Sequence, residues 1–115
     1  MKSDIQFYKA LAYTRAEDYT SAVIEANSAI RSRVSNIDAH ALLIIIRLRE
    51  HKGEEALTAL DYLRVIAEDK SYHKGELTIE SYINMLEDTI QGEIKANYTM
   101  ELGTLIMLFF ESNFY

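Results

Sequence analysis

Several residue types that decide function classes are missing or scarce in this chain. It has no cysteine among its 115 residues, which rules out a disulfide framework, a thiolate metal site and a cysteine nucleophile. It has no proline and only four glycines. An all-β chain needs a turn roughly every ten residues, so the shortage of turn formers points to helices. Basic residues are outnumbered, twelve Lys and Arg against eighteen Asp and Glu, and the net charge is −6. A nucleic-acid backbone requires a basic footprint, so no nucleic-acid partner is expected. The apolar run Ala41 to Ile46 falls far short of the roughly 20 residues that a membrane span takes, and no span is expected. The opening residues MKSDIQF lack the apolar segment of a secretory signal, so a cytoplasmic location is expected. His40, His51 and His73 show no ligand spacing, and neither an HExxH pattern nor a glycine-rich phosphate loop occurs. No metal, no cofactor and no catalytic constellation is expected, and the chain is read as a non-enzyme.

Hydrophobic residues make up 49% of the chain, enough for one domain over residues 1–115 to bury a core without staples. Ala39 to Leu48 is apolar on nearly every helical face, which marks a helix enclosed by its neighbours. The other segments carry single stripes. Ser3 and Gln6 have capping-box spacing ahead of Ile5, Tyr8, Leu11 and Ala12. Asp18 is the expected cap of a second helix whose stripe is Tyr19, Ala22, Val23, Ala26, Ala29 and Ile30. The central helix is expected from Ile37 to Lys52, with Gly53 as the residue that ends it. A fourth helix carries Ala56, Ala59, Leu60, Leu63 and Ile66. After the polar break Ser71 to Gly75, the candidate hinge, a fifth carries Ile79, Tyr82, Ile83, Leu86 and Ile90. Asn97 suits a left-handed position and Thr99 a cap for a last helix from Met100 to about Ser112. About six helices follow, an all-α chain of two helix pairs over residues 3–70 and a C-terminal helical pair over 76–115.

The second and fourth helices align at an offset of 34 residues: Ala22 on Ala56, Val23 on Leu57, Ala26 on Leu60 and Ala29 on Leu63. With Ala10, Tyr13, Asp18-Tyr19, Ala22 and Ala29 in the first unit, and Gly53-Glu54-Glu55-Ala56 in the second, the chain resembles the tetratricopeptide-repeat family. An unrelated helical bundle is the alternative. The resemblance implies antiparallel hairpins stacked around a concave face that takes an extended or helical segment of another protein. Size, acidity and lack of cysteine also make the chain similar to the tetratricopeptide-type chaperones of type III secretion, which hold a needle or filament subunit in the cytoplasm.

The run Leu105 to Phe110 (LIMLFF) is the strongest oddity. It either closes the core or leaves an apolar side for a partner. Leu105, Leu108, Phe109, Phe110, Phe114 and Tyr115, with Tyr62, are the candidate partner-binding residues, serving a partner helix or a second copy in a homodimer. Tyr8, Tyr13 and Tyr19 are expected to pack, while Tyr72 and Tyr98 are looser contact candidates. Arg31, Arg33, Arg47, Arg49 and Lys52 are candidates to converge on an anionic partner at one end of the bundle, against the plainer reading of compensating helix dipoles.

Overall fold

A computed structural model describes residues 2–68, 73–74 and 77–111. Six α-helices dominate: α1 (Lys2–Arg15), α2 (Tyr19–Ser32), α3 (Ile37–Arg49), α4 (Gly53–Ala67), α5 (Ile79–Lys95) and α6 (Leu102–Ile106). The last runs on into a π-helical stretch, Met107–Glu111. Between α4 and α5 lies a minimal antiparallel hairpin, β1 (His73–Lys74) and β2 (Leu77–Thr78), in which His73 faces Thr78 and Lys74 faces Leu77. The fold is all-α, with consecutive helices packed on one another. The proposed hinge residues Ser71, Tyr72 and Gly75 lie outside the described residues.

The first two hairpins repeat at the level of the backbone. Glu17 and His51, 34 residues apart, both sit in the left-handed region at φ 61°. The amide of Glu17 donates to Thr14 O and that of Asp18 to Tyr13 O; His51 and Lys52 donate in the same way to Leu48 O and Arg47 O. These paired bonds satisfy the free carbonyls of a helix end and reverse the chain within three residues. The matching side chains are buried as well: Ala10 and Ile44, Ala22 and Ala56, Ala26 and Leu60, Ala29 and Leu63. Ala10, Ala26 and Ala29 of the first unit are small where Ile44, Leu60 and Leu63 of the second are large, while Ala22 and Ala56 are alike. The cap differs too. Asp18 accepts from the Ser21 amide, whereas Lys52 makes no side-chain cap.

Gly53 therefore does not end the central helix. The helix stops at Arg49, His51 supplies the left-handed turn, and Gly53 is the first residue of α4. Its smallness serves a different purpose: a β-carbon there would lie 2.5 Å from Ile94 Cγ1 and 2.7 Å from Tyr98 Oη.

The face of α1 also differs from the sequence expectation. Ile5 and Tyr8 are 57% and 66% exposed, and the buried face carries Ser3, Phe7, Ala10 and Thr14. Two of those four are polar, and hydrogen bonding lets them sit inside. Ser3 is not a cap. Its Oγ donates to Ala29 O (2.8 Å) and accepts from Asn36 Nδ2 (2.9 Å), while Asn36 Oδ1 accepts from the Ala39 amide as the cap of α3. Thr14 Oγ1 turns back onto Ala10 O. The serine–asparagine relay ties the starts of α1 and α3 to the end of α2, and each of its buried polar groups finds a partner.

The central helix is enclosed. Ala39 to Leu42, Ile44 to Ile46 and Leu48 are all buried, and α3 packs against α1, α2, α4, α5 and α6. His40 shares that interior. Its Nε2 stands 2.7 Å from Val34 O, and since a carbonyl can only accept, Nε2 carries the proton. Burial lowers the pKa of this imidazole, partly offset by the bond to Val34, so the ring is neutral.

Candidate functional site

The helices α1, α3 and α5 stand side by side, with α2 and α4 packed behind them. The face of that front row is covered by the chain itself. After α5 the backbone turns through Asn97 and Tyr98, both at φ 60°, and returns as α6 and the π-helical stretch, residues 102–111. We call this element the return helix.

Its path is fixed at both ends. At the start, the Met100 amide donates to both carboxylate oxygens of the buried Glu93 (3.2 and 3.1 Å), and Arg49 Nη1 donates to Met100 O (3.0 Å). Those residues lie at the C-terminal ends of α5 and α3. At the finish, Tyr82 Oη, in the first turn of α5, donates to Phe109 O (2.9 Å), and the Phe110 ring meets Phe7 of α1 edge-on at 5.8 Å. The return helix therefore runs antiparallel to α3 and touches all three front helices. It packs on α3 rather than lying along α5 as the second half of a hairpin. Leu105, Ile106 and Phe109 join one cluster with Ala41, Ile44, Ile45 and Leu48 of α3 and Tyr82, Ile83 and Leu86 of α5.

This geometry revises the candidate site. Leu105 and Phe109 are wholly buried within the subunit and do not offer their side chains to a partner. The reason is the missing hairpin partner: with α6 laid over α3, one side of the LIMLFF run becomes core. Leu108 and Phe110 are partly buried against the same clusters. Tyr62 is 49% exposed on α4, in the back row, where it tilts against His40 with ring centroids 5.5 Å apart. Phe114 and Tyr115 lie outside the described residues. Tyr98 is held rather than free: it stacks on His51 at 4.7 Å, and its hydroxyl oxygen accepts from the Gly53 amide (3.1 Å). Thr99 caps nothing, because α6 begins after Glu101, which makes no side-chain cap.

Four residues that matter here escape a stripe-based reading. Phe7 lies off the apparent stripe of α1, and Glu93 is a carboxylate on an otherwise apolar face. Gly53 looked like a terminator. The hydroxyl role of Tyr82 depends on a segment 27 residues away. Burial, and secondarily the charge of Asp38, raises the pKa of Tyr82, so its hydroxyl stays a donor.

The basic residues are engaged by the chain's own groups, and of the five only Arg47 and Lys52 share a partner, Glu50. Arg33 pairs with Asp4 (2.8 Å), Arg47 and Lys52 with Glu50 (3.0 and 3.7 Å), and Arg49 with Glu17 (3.7 Å). Arg31 donates to Ser28. Among the described residues no group of three His, Asp or Glu side chains stands close enough to hold a metal ion. Among the same residues no helix is long and apolar enough to cross a membrane. In comparison with known proteins, no family model, curated protein or solved structure matches the chain.

Proposed function

We propose that the protein is a non-enzymatic binding module, of the chaperone kind, that holds an amphipathic segment of a partner protein against the face formed by α1, α3 and α5. The observation that carries this reading is the return helix itself: the face accepts an aromatic, apolar helix laid along α3. The two hairpins that repeat at 34 residues support a tetratricopeptide-like array, in which such a face is the usual binding surface. The narrower reading is a cytoplasmic chaperone for a needle or filament subunit of type III secretion. It rests on size, acidity and helical architecture.

The test is mass action. Partners recovered from native cytoplasm are cut to synthetic helical segments and added to the purified protein. A true partner at about a hundred times its Kd stabilises the fold by about 2.7 kcal/mol. If no recovered segment moves the melting temperature, the reading fails.

A homodimer with a structural or regulatory role is the second reading, and a specific feature favours it. Ile5, Tyr8 and Ala12 form an outward stripe on α1, away from the buried return helix. The charge-bearing change Ile5→Lys with Tyr8→Lys converts such a dimer to a monomer in sedimentation. A dimer that survives it uses another surface.

A further inference from the structure

We infer that the return helix is a displaceable, built-in occupant of the binding face, and that the partner it gives way to is an amphipathic helix with apolar residues in pairs one turn apart. The pattern is read from the element now in place: Leu105-Ile106 and Phe109-Phe110, positions i, i+1, i+4 and i+5. This rests on the binding-module reading and adds to it a named occupant and a named partner pattern.

Three observations mark this helix as the one built to leave. First, its local specification is weak. Glu101 makes no side-chain cap, a lack shared with α4, and the α-helical part of the element is only five residues long against the fifteen of α4. Gly103 occupies its first turn with open space where a β-carbon would be. Half of the return helix is in π geometry, a departure from α-helix that recurs at functional sites. Second, the connection to α5 is strained. Asn97 takes the same left-handed helix-end turn as Glu17 and His51, but Tyr98 after it is also at φ 60°, where a bulky residue costs free energy. Third, among the described residues 102–111 the helix body is held by a short apolar row, the Phe110–Phe7 ring contact and the hydrogen bond from Tyr82 Oη to Phe109 O, while the polar ties at Met100 hold the loop before it. The rest of the array, α1 to α5, is held together without it by the hairpin contacts and the Ser3–Asn36 relay.

The experiment uses the full chain and a labelled synthetic peptide copying residues 99–111, with hydrogen exchange and fluorescence anisotropy as readouts. In the wild-type protein the amides of 102–111 are expected to exchange through an opening at least about ten times more populated than global unfolding. The peptide is expected to strip protection from those amides while α1 to α5 stay protected. Tyr82→Phe removes the polar tie at the far end of the return helix and raises peptide affinity about ten-fold. Gly103→Ala firms the return helix without touching anything and lowers affinity about two- to five-fold.

A return helix whose amides exchange only with global unfolding overturns the inference. So does a peptide that binds while residues 102–111 remain protected, although the binding-module reading then survives on another surface. Exchange of return helices between two copies, with no peptide uptake, also overturns the assigned partner. Should Tyr82→Phe lose its cooperative melt, the wild-type exchange data and Gly103→Ala still decide.

Discussion

Alanine replacing glycine should act with opposite signs at two positions, and the structure gives a reason for each. Gly92 lies near the end of α5 on its exposed side, and a β-carbon there would meet nothing within 4 Å. The substitution removes a helix-interior glycine and should stabilise the protein by about 1 kcal/mol. Gly53 is buried at the start of α4, where the same β-carbon would press on Ile94 Cγ1 at 2.5 Å, Ile94 Cδ1 at 2.7 Å and Tyr98 Oη at 2.7 Å. Ile94 sits at the rim and has room to turn. Tyr98 does not, because its hydroxyl receives the Gly53 amide and its ring stacks on His51. Overpacking of this kind costs about 1–3 kcal/mol. The stiffer unfolded chain returns roughly 0.4–1 kcal/mol at either position, so the clash decides the sign at Gly53. For a chain of this size each kcal/mol moves the melting temperature by about 3–6 °C. Gly92→Ala should therefore rise by about 3–6 °C and Gly53→Ala should fall by about 3–10 °C. Circular-dichroism melts, with urea titrations to verify that the m-value is unchanged, measure both. A Gly53→Ala protein as stable as the parent would refute the close approach between the α4 start and the loop after α5.

Other consequences are open to the same methods. Ser3→Ala orphans Asn36 Nδ2 and should cost about 1–3 kcal/mol, whereas a mere capping serine would cost less; urea denaturation reads the difference. His40 has a depressed pKa in the fold, so its neutral form contributes stability that is complete above the unfolded value of about 6.5 and is lost as pH falls toward the folded value. The wild type should thus lose more melting temperature between pH 7.5 and pH 5 than His40→Gln does, and parallel curves would remove His40 from the account. Phe109→Ala empties a fully buried site, for which about 3–5 kcal/mol is the ordinary loss. If the return helix detaches independently, the loss of global stability stops at the smaller free energy that holds this helix down, with protection of 102–111 disappearing first.

Much of the architecture was legible because period and punctuation agreed. The stripes of α2, α4 and α5 lie on the buried faces, Asp18 caps α2 as capping chemistry places it, and Asn97 takes its left-handed turn. The enclosed α3 followed from an apolar surface with no polar side. What escaped was polar material doing an apolar job. Ser3 and Thr14 on the inner face of α1 moved the apparent stripe to Ile5 and Tyr8, because their hydrogen bonds are made by tertiary contact and by the helix backbone, which periodicity does not register. Gly53 fitted two roles, and only the arrival of Tyr98 from 45 residues away distinguishes them. The destination of the LIMLFF run was open for the same reason: whether it pairs with α5 or crosses α3 depends on a loop that turns on two left-handed residues.

That crossing constrains how any partner can bind. Leu105, Ile106 and Phe109 share one cluster with Ala41, Ile44, Ile45 and Leu48, so the front of α3 is as apolar as its back. A face of that kind, left bare, would expose a contiguous apolar strip along a whole helix, and soluble proteins keep such strips covered. With no partner present, the open form of the return helix is therefore a minor population. In the proposed binding mode a partner helix takes over the apolar row as the return helix releases it, so that α3 is covered again. Affinity then reflects the difference between two occupants of one site rather than the full value of the contact. The same exchange makes selectivity depend on pattern: a helix whose apolar residues miss the paired spacing of Leu105-Ile106 and Phe109-Phe110 has no advantage over the segment already in place.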